Sequence, residues 1–403
     1  MGAVAITGVG VISPLGTGKE AFWKGLIEGR DGIEEIAAFD TAPLRSKKGG
    51  LVQGFNPKAF IPPLKIRRLD RASQFAIAAS KMALEDAGLT IGEDVTPERT
   101  GIILGSGFCG VVSSEAFHRG QVLRGPGDLN PILFPNTVPN AAASNASIEL
   151  GIKGTNSTVV QSFCTAEAAV LFTCQQLLAN RADVIVTGGV DELSAILYRG
   201  WNELRLTAWD AGEGERSAPY DLKRNGFVPG EGAGIMVLER REHALHRKAR
   251  LYGQVLGFAQ TGGATYPEEQ VARAISGVLQ RGGMQGVDFI DGAGNASPRL
   301  DRVEAEGLRL ALADRYLDIP ISSIKSMVGE GIASGGMRIA ADLLMMEHGA
   351  IPPTINYEYP DPLCSLRIVR EGLQASIRTI LHTGISLDGT YCAILLGRAD
   401  GVS

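Results

Sequence analysis

Long apolar runs are absent from this 403-residue sequence. No stretch approaches the roughly 20 apolar residues that a bilayer-spanning helix needs, so no membrane span is expected. The start, Met1-Gly-Ala-Val-Ala-Ile-Thr-Gly8, has no basic segment ahead of an apolar one, which argues against a secretory leader. An excess of positive charge is missing too. The 39 Lys and Arg against 44 Asp and Glu leave a net charge of -5, which gives no reason to expect nucleic acid or an acidic membrane as partner. Cysteine is sparse: Cys109, Cys164, Cys174, Cys364 and Cys392 are scattered, odd in number and form no CxxC pair. That argues against a disulfide framework and for a reducing cytoplasm. A dinucleotide loop is lacking as well. Gly8-Val-Gly10 begins one, but the third glycine of GxGxxG is not where it should be.

What is present is glycine and apolar residues. The 52 glycines fall inside apolar runs, which points to tight turns and close backbone approaches, not disorder. With 44% hydrophobic and 21% charged residues the composition is that of a globular protein. The chain is too long for one ordinary core, so two packed halves are expected, 1–250 and 251–403. Val4 to Gly16 reads as a buried strand running into a Gly/Pro turn, Thr100 to Gly107 as a buried strand and glycine turn, Ser157 to Cys164 as a strand, and Ala182 to Gly189 as a strand followed by glycines. Leu69 to Ala87, stopped by Gly88, and Thr165 to Ala179 read as helices. Leu238 to Arg250 reads as a solvated helix and connection. Beyond it the alternation resumes with Gly253 to Phe258, Val271 to Gln280, Phe289 to Asp291, Leu300 to Leu312, Ile324 to Met327, Met337 to Met346 and Tyr391 to Leu396. Such alternation is the pattern of an α/β layered protein.

Cys164 stands where a strand gives way to a helix. A helix N-terminus favours a thiolate, and a thiolate there can take an acyl group from a thioester. The other reading is a small buried hydrophobe, as most free cysteines are. For the remaining four cysteines the core reading is preferred.

The run Ser217-Ala-Pro-Tyr-Asp-Leu-Lys-Arg-Asn-Gly-Phe-Val-Pro-Gly-Glu-Gly-Ala-Gly234 closely resembles the P-(F/W/Y)-D-x-x-R-x-G-F-V-x-G-E-G-A-G segment of β-ketoacyl carrier-protein synthases. Gly8-Val-Gly10, Ser13-Pro-Leu-Gly16, Gly188-Gly189 and the Cys164 segment follow in the family's order. The resemblance spans essentially the whole chain. It implies a thiolase-type α/β fold: two similar βαβαβαββ halves, stacked as five layers αβαβα and paired as a dimer. It also implies acyl chemistry on an acyl carrier protein, with no cofactor and no metal. The N-terminal half would carry Cys164, and the C-terminal half the two histidines that stabilise an enolate when malonyl thioester loses carbon dioxide. Neither histidine is there. The motif H-G-T-x-T-x-x-x-D-x-x-E is matched by Ala293 to Glu304, which keeps Asp301 and Glu304 but has Ala293 at the histidine position. The motif K-S-x-x-G-H is matched by Lys325 to Glu330, which keeps Lys325 and places Glu330 at the end. The five histidines, His118, His243, His246, His348 and His382, lie elsewhere and read as surface or structural residues. The family's C-terminal Gly-Phe-Gly-Gly loop is matched by Ser386-Leu387-Asp388-Gly389, so Leu387 replaces the gating Phe and the loop should take another shape.

Ala293 cannot donate a hydrogen bond. An ionised Glu330 would oppose a developing enolate, and a protonated one could donate a single bond. The resemblance therefore implies a chain unable to condense by the usual route. It is similar to the chain-length factor of type II polyketide systems, which pairs with an active ketosynthase as a heterodimer. Leu133, Phe134 and Trp201 are then candidates for gating the tunnel, with plain core packing the other reading. A second reading is a Cys164-dependent acyltransferase, or a divergent synthase, with Glu330 moving the proton. A third is an acyl-binding homodimer.

Overall fold

The computed structural model describes residues 4–263, 265, 267–331 and 334–399. The N-terminal half runs β1 (Val4–Ser13), α1 (Arg71–Asp86), β2 (Thr100–Gly105), α2 (Ala141–Leu150), β3 (Asn156–Val159), α3 (Thr165–Leu178), β4 (Val184–Asp191) and β5 (Gly232–Arg240). The second half runs β6 (Gly253–Gly262), α4 (Pro267–Gly282), β7 (Phe289–Asp291), α5 (Pro298–Leu312), β8 (Pro320–Ser322), α6 (Ser334–His348), β9 (Thr379–Ile385) and β10 (Thr390–Gly397). The two strings are the same, βαβαβαββ, and so is the pairing. β1 is antiparallel to β5, β5 to β4, and β4 and β2 are parallel, as are β2 and β3. In the second half β6, β10, β9, β7 and β8 repeat that order and sense. The two sheets meet where β1 pairs with β6 over Val4↔Val255, Ala5↔Gln254 and Ile6↔Gly253.

Period-two alternation splits each strand between two cores. In the N-terminal sheet Ile102, Leu104, Val186, Ile235 and Val237 face α1 and α2. Ile103, Ile185, Met236 and Leu238 face inward, onto the central helices α3 and α6, where Phe289, Ile380 and Ile394 of the second sheet meet them. The other face of that sheet, with Ile290, Leu381, Ala393 and Leu395, packs on α4 and α5. Helices therefore cover both faces of both sheets, giving the five-layer thiolase-type arrangement. Because each strand is buried on both sides, it reads as a continuous apolar run. The glycines of Gly8-Val-Gly10 serve this packing: a Cβ would lie 2.1 Å from the Ala83 carbonyl oxygen at Gly8 and 2.0 Å from that of Ala79 at Gly10. No described helix is long and apolar enough to cross a membrane.

Three local expectations need correction. Ile324 to Met327 is not a strand but enters a helical turn, Lys325–Val328, while the strand is β8 just before it. A short apolar run does not distinguish the two. The strand before Cys164 stops at Val159. Leu238 and Glu239 are not solvated but end the buried strand β5; the exposed connection begins with the helix Arg241–His246.

Candidate functional site

The two positions that lack histidine face one lysine. After β7 the chain passes through 292–297 before entering α5, and α5 holds that loop. The Ala293 N–H donates to Glu304 Oε1 at 2.8 Å and to Thr383 Oγ1 at 3.1 Å. Glu304 also accepts from the Tyr220 hydroxyl at 2.8 Å, and Asp301 accepts from the backbone of Tyr220 and Asn295 at 2.8 and 3.0 Å. Tyr220 adopts a left-handed backbone (φ 63°) to reach both. Burial pushes the Asp301 carboxyl up to about 6 despite the Arg224 guanidinium 3.4 Å away. Asp301 and Glu304, set three residues apart on one helix face, act as struts for the loop.

Glu330 follows the turn Lys325–Val328. Its N–H donates to the Val228 carbonyl at 2.7 Å, and its carbonyl accepts from Gly230 at 2.9 Å, so the signature segment fixes its backbone. Its carboxylate accepts from Lys325 Nζ at 2.7 Å, Asn295 Nδ2 at 2.8 Å and Ser334 Oγ at 2.8 Å. Asn295 Oδ1 in turn accepts from the Ser297 N–H, which fixes the amide's orientation. Lys325 also donates to the Ala293 carbonyl at 3.0 Å. Lys325 and Asn295 can only donate through these nitrogens, so both bond to Glu330 oxygens as acceptors. One lysine thus spans both positions, bonded to the Ala293 carbonyl on one side and the Glu330 carboxylate on the other. Glu330→Ala would leave the Lys325 ammonium buried without its counter-charge, and the loss expected is about 3–5 kcal/mol of unfolding free energy. Glu330→Gln, which keeps acceptor oxygen in place, should lose less. Urea unfolding of the three proteins measures the order.

Cys164 caps α3, and its backbone N–H donates to Gln161 at 3.1 Å in a turn that puts Ser162 in the left-handed region (φ 45°). Its thiol is fully buried and donates to the Thr390 carbonyl at 3.5 Å. These surroundings favour the reading of Cys164 as a small buried residue. Burial pushes the thiol well above its ordinary range, Cys392 and Glu167 push the same way, and only Lys325 counters.

Around Cys164 the rings of Phe163 and Phe227 meet edge to face at 5.4 Å, Trp201 joins Phe227 at 5.7 Å, and Phe108 joins Trp201 at 5.8 Å. Of the four gate candidates, Trp201 therefore belongs to the aromatic cluster that flanks the cysteine. Leu133 is half-buried and Phe134 is 63% exposed, resting on Phe117 away from that cluster. Leu387 is exposed at the tip of the β9–β10 hairpin, where only Gly389 has positive φ (83°). Ser386 in that hairpin turns its hydroxyl to accept the Phe163 N–H at 3.2 Å.

A buried charge cluster, not anticipated from the sequence, lies between α3, α6 and β9. Arg338 pairs with Glu167 at 3.4 Å and Asp291 at 2.9 Å. His382 reaches Glu167 at 3.2 Å, Asp291 at 2.9 Å and Asp342 at 2.8 Å. His382 is therefore a structural residue at the molecule's centre. Burial opposes its charge, but its three carboxylate neighbours prevail and lift its pKa to about 10. Burial also raises Asp342, to about 7. Asp291, Asp342 and His382 are close enough to share a metal ion, yet the guanidinium and imidazolium already supply the cations. The available signal was an ionisable residue interrupting each apolar run.

Fold and site together place a buried cysteine at the head of a central helix and a buried Lys325–Glu330 pair beside the loop that carries Ala293. The chain belongs to the β-ketoacyl synthase family. Residues 1–244 match the family's N-terminal domain and 252–358 its C-terminal domain. It is 34% identical to a 3-oxoacyl-[acyl-carrier-protein] synthase 2 of Synechocystis, covering 91% of this chain and 90% of that protein. It is also 34% identical to a putative polyketide beta-ketoacyl synthase 1 of Streptomyces halstedii, over 98% and 97% of the two chains. Among solved structures it superposes on the ishigamide ketosynthase/chain length factor with a TM-score of 0.92 at 28% identity, covering 98% of this chain and 99% of that one.

Proposed function

We propose that the chain is a ketosynthase-like partner subunit of the chain-length-factor type, which does not itself condense and which pairs with an active β-ketoacyl synthase working on an acyl carrier protein. The observation that carries this reading is the Lys325–Glu330 ion pair. Where an enolate oxygen would need two donors, it puts a carboxylate already holding three donors, and the other position, Ala293, has a side chain that cannot donate. Removing one such donor elsewhere costs about 2.7–4 kcal/mol of transition-state stabilisation, and here both are gone. A pairing surface is available: Val122, Leu123, Ile132 and Phe134 are exposed together with the outer edge of β3. Apolar exposure of this kind marks an interaction face, and a folded relative of the same architecture is the partner it fits. Leu133 and Phe134 then reach toward that partner's tunnel. Soluble, cytoplasmic work on carrier-bound chains fits the family.

The test is malonyl-carrier-protein decarboxylation by the purified chain, read by intact mass. The expected result is a rate at the uncatalysed background and no acyl adduct on Cys164. Decarboxylation at the rate of a histidine-bearing synthase would overturn the reading. The retained cysteine at the head of α3 favours one other reading, a Cys164-dependent acyltransferase. An acyl adduct lost in Cys164→Ala, without carbon dioxide release, would select it.

A further inference from the structure

Cys392 has no part in the reading above, yet it stands against Cys164. It lies on β10 directly opposite Gly384 of β9, and its thiol is close enough to the Cys164 thiol to raise that thiol's pKa. Gly384 makes the room. A Cβ at that position would come 3.2 Å from Cys164 Sγ and 3.3 Å from Cys392 Cβ, so the two cysteines border the same small gap. The Cys164 thiol also points at the carbonyl of Thr390, two residues before Cys392 on the same strand. Both side chains are buried. The other cysteines have different surroundings: Cys109 lies by Asp191, Cys364 contacts Arg224, and Cys174 is almost three turns further along α3.

The geometry points to a modification site: Cys164 and Cys392 form a reversible disulfide when the protein meets a peroxide. One thiol is oxidised to a sulfenic acid with release of water. The sulfur of the second attacks it, the S–O bond breaks, and its thiol proton leaves with the hydroxyl as a second water. In sum, two thiols and one hydrogen peroxide give one disulfide and two waters. The bond ties the head of α3 to β10 and withdraws Cys164 from acyl chemistry, whichever role that residue has. Both thiols are enclosed, and burial keeps Cys164 protonated, so reaction is slow compared with an exposed thiolate. The neighbouring thiol captures the sulfenic acid before further oxidation.

The full-length chain is treated with hydrogen peroxide, alkylated under denaturing conditions and measured by intact mass and peptide mapping. The expected product carries three alkyl groups where the untreated chain carries five, holds one cross-linked peptide pair containing Cys164 and Cys392, and reverts with dithiothreitol. Cys392→Ser should abolish the cross-link and leave Cys164 to gain oxygen, while Cys174→Ala should leave the cross-link unchanged. Three results would overturn the proposal: both cysteines staying open to alkylation, Cys164 passing to sulfinic acid in the unmodified sequence, or a cross-link that survives Cys392→Ser. Mapping of the unmodified chain decides the matter even if the variants fail to fold.

Discussion

Arg338→Met should leave the chain unfolded or barely folded at neutral pH. The guanidinium is wholly buried and holds Glu167 and Asp291 at 3.4 and 2.9 Å, with Asp342 close by. Methionine fills much of the volume but leaves three buried carboxylates facing the single imidazolium of His382. Stripping one partner from a buried pair costs about 3–5 kcal/mol, against a total stability of about 5–15 kcal/mol for a typical domain. The pH dependence has a definite sign. Arg338 lowers the pKa of Glu167, Asp291 and Asp342 in the folded state. Without it the folded values of Glu167 and Asp291 rise toward or above the unfolded ones, and that of Asp342, already raised by burial, rises further. A carboxyl whose folded pKa is raised contributes stability only below its unfolded value and loses it as pH climbs through the folded value. The variant should therefore be more stable near pH 5 than near pH 8. Urea unfolding at both pH values checks this. Stability at pH 8 equal to that of the parent would mean that Arg338 does not hold the cluster together.

The architecture was legible because buried strands and alanine-rich helices leave plain marks. Gly8 and Gly10 face Ala79 and Ala83 in a contact that no larger residue permits. The signature 217–234 was legible for a comparable reason, since Tyr220, Arg224 and Gly230 each bind a part of the second half. The Lys325–Glu330 pair and its closure by Asn295 and Ser334 were hidden, since a separation of five residues does not by itself bring two side chains together. The central charge cluster was hidden because Glu167 and His382 are 215 residues apart and each sits singly in an apolar run. The Cys164–Cys392 contact was hidden in the same way. Strand alternation says only that Cys392 is buried, and a hairpin partner, Gly384, decides what it touches. Position in the sequence left Cys164 open between a thiolate and a buried hydrophobe, because helix-end stabilisation is a surface-scale effect of roughly 0.3–1 kcal/mol and burial acts against it.

Ala293→His together with Glu330→His should restore malonyl-carrier-protein decarboxylation, while either change alone should not. Lys325 already lies between the two positions, 3.0 Å from the Ala293 carbonyl and 2.7 Å from Glu330, and the loop bearing residue 293 is held by Glu304 and Thr383 without help from its own side chain. Histidine at 293 alone would supply one donor but leave a carboxylate facing the developing enolate. Histidine at 330 alone would remove that charge but leave a methyl opposite. Each missing donor is worth about 10²–10³-fold in rate, so the double variant should exceed the better single one by about that factor. Glu330→His also takes the counter-charge from Lys325, so every protein carrying it should be less stable than its parent, and rates must be compared on folded material verified by circular dichroism. Carbon dioxide release followed by intact mass of the carrier protein gives the rates. A single variant as fast as the double would show that one donor suffices, and the case against condensation by this chain would then rest on the other position alone.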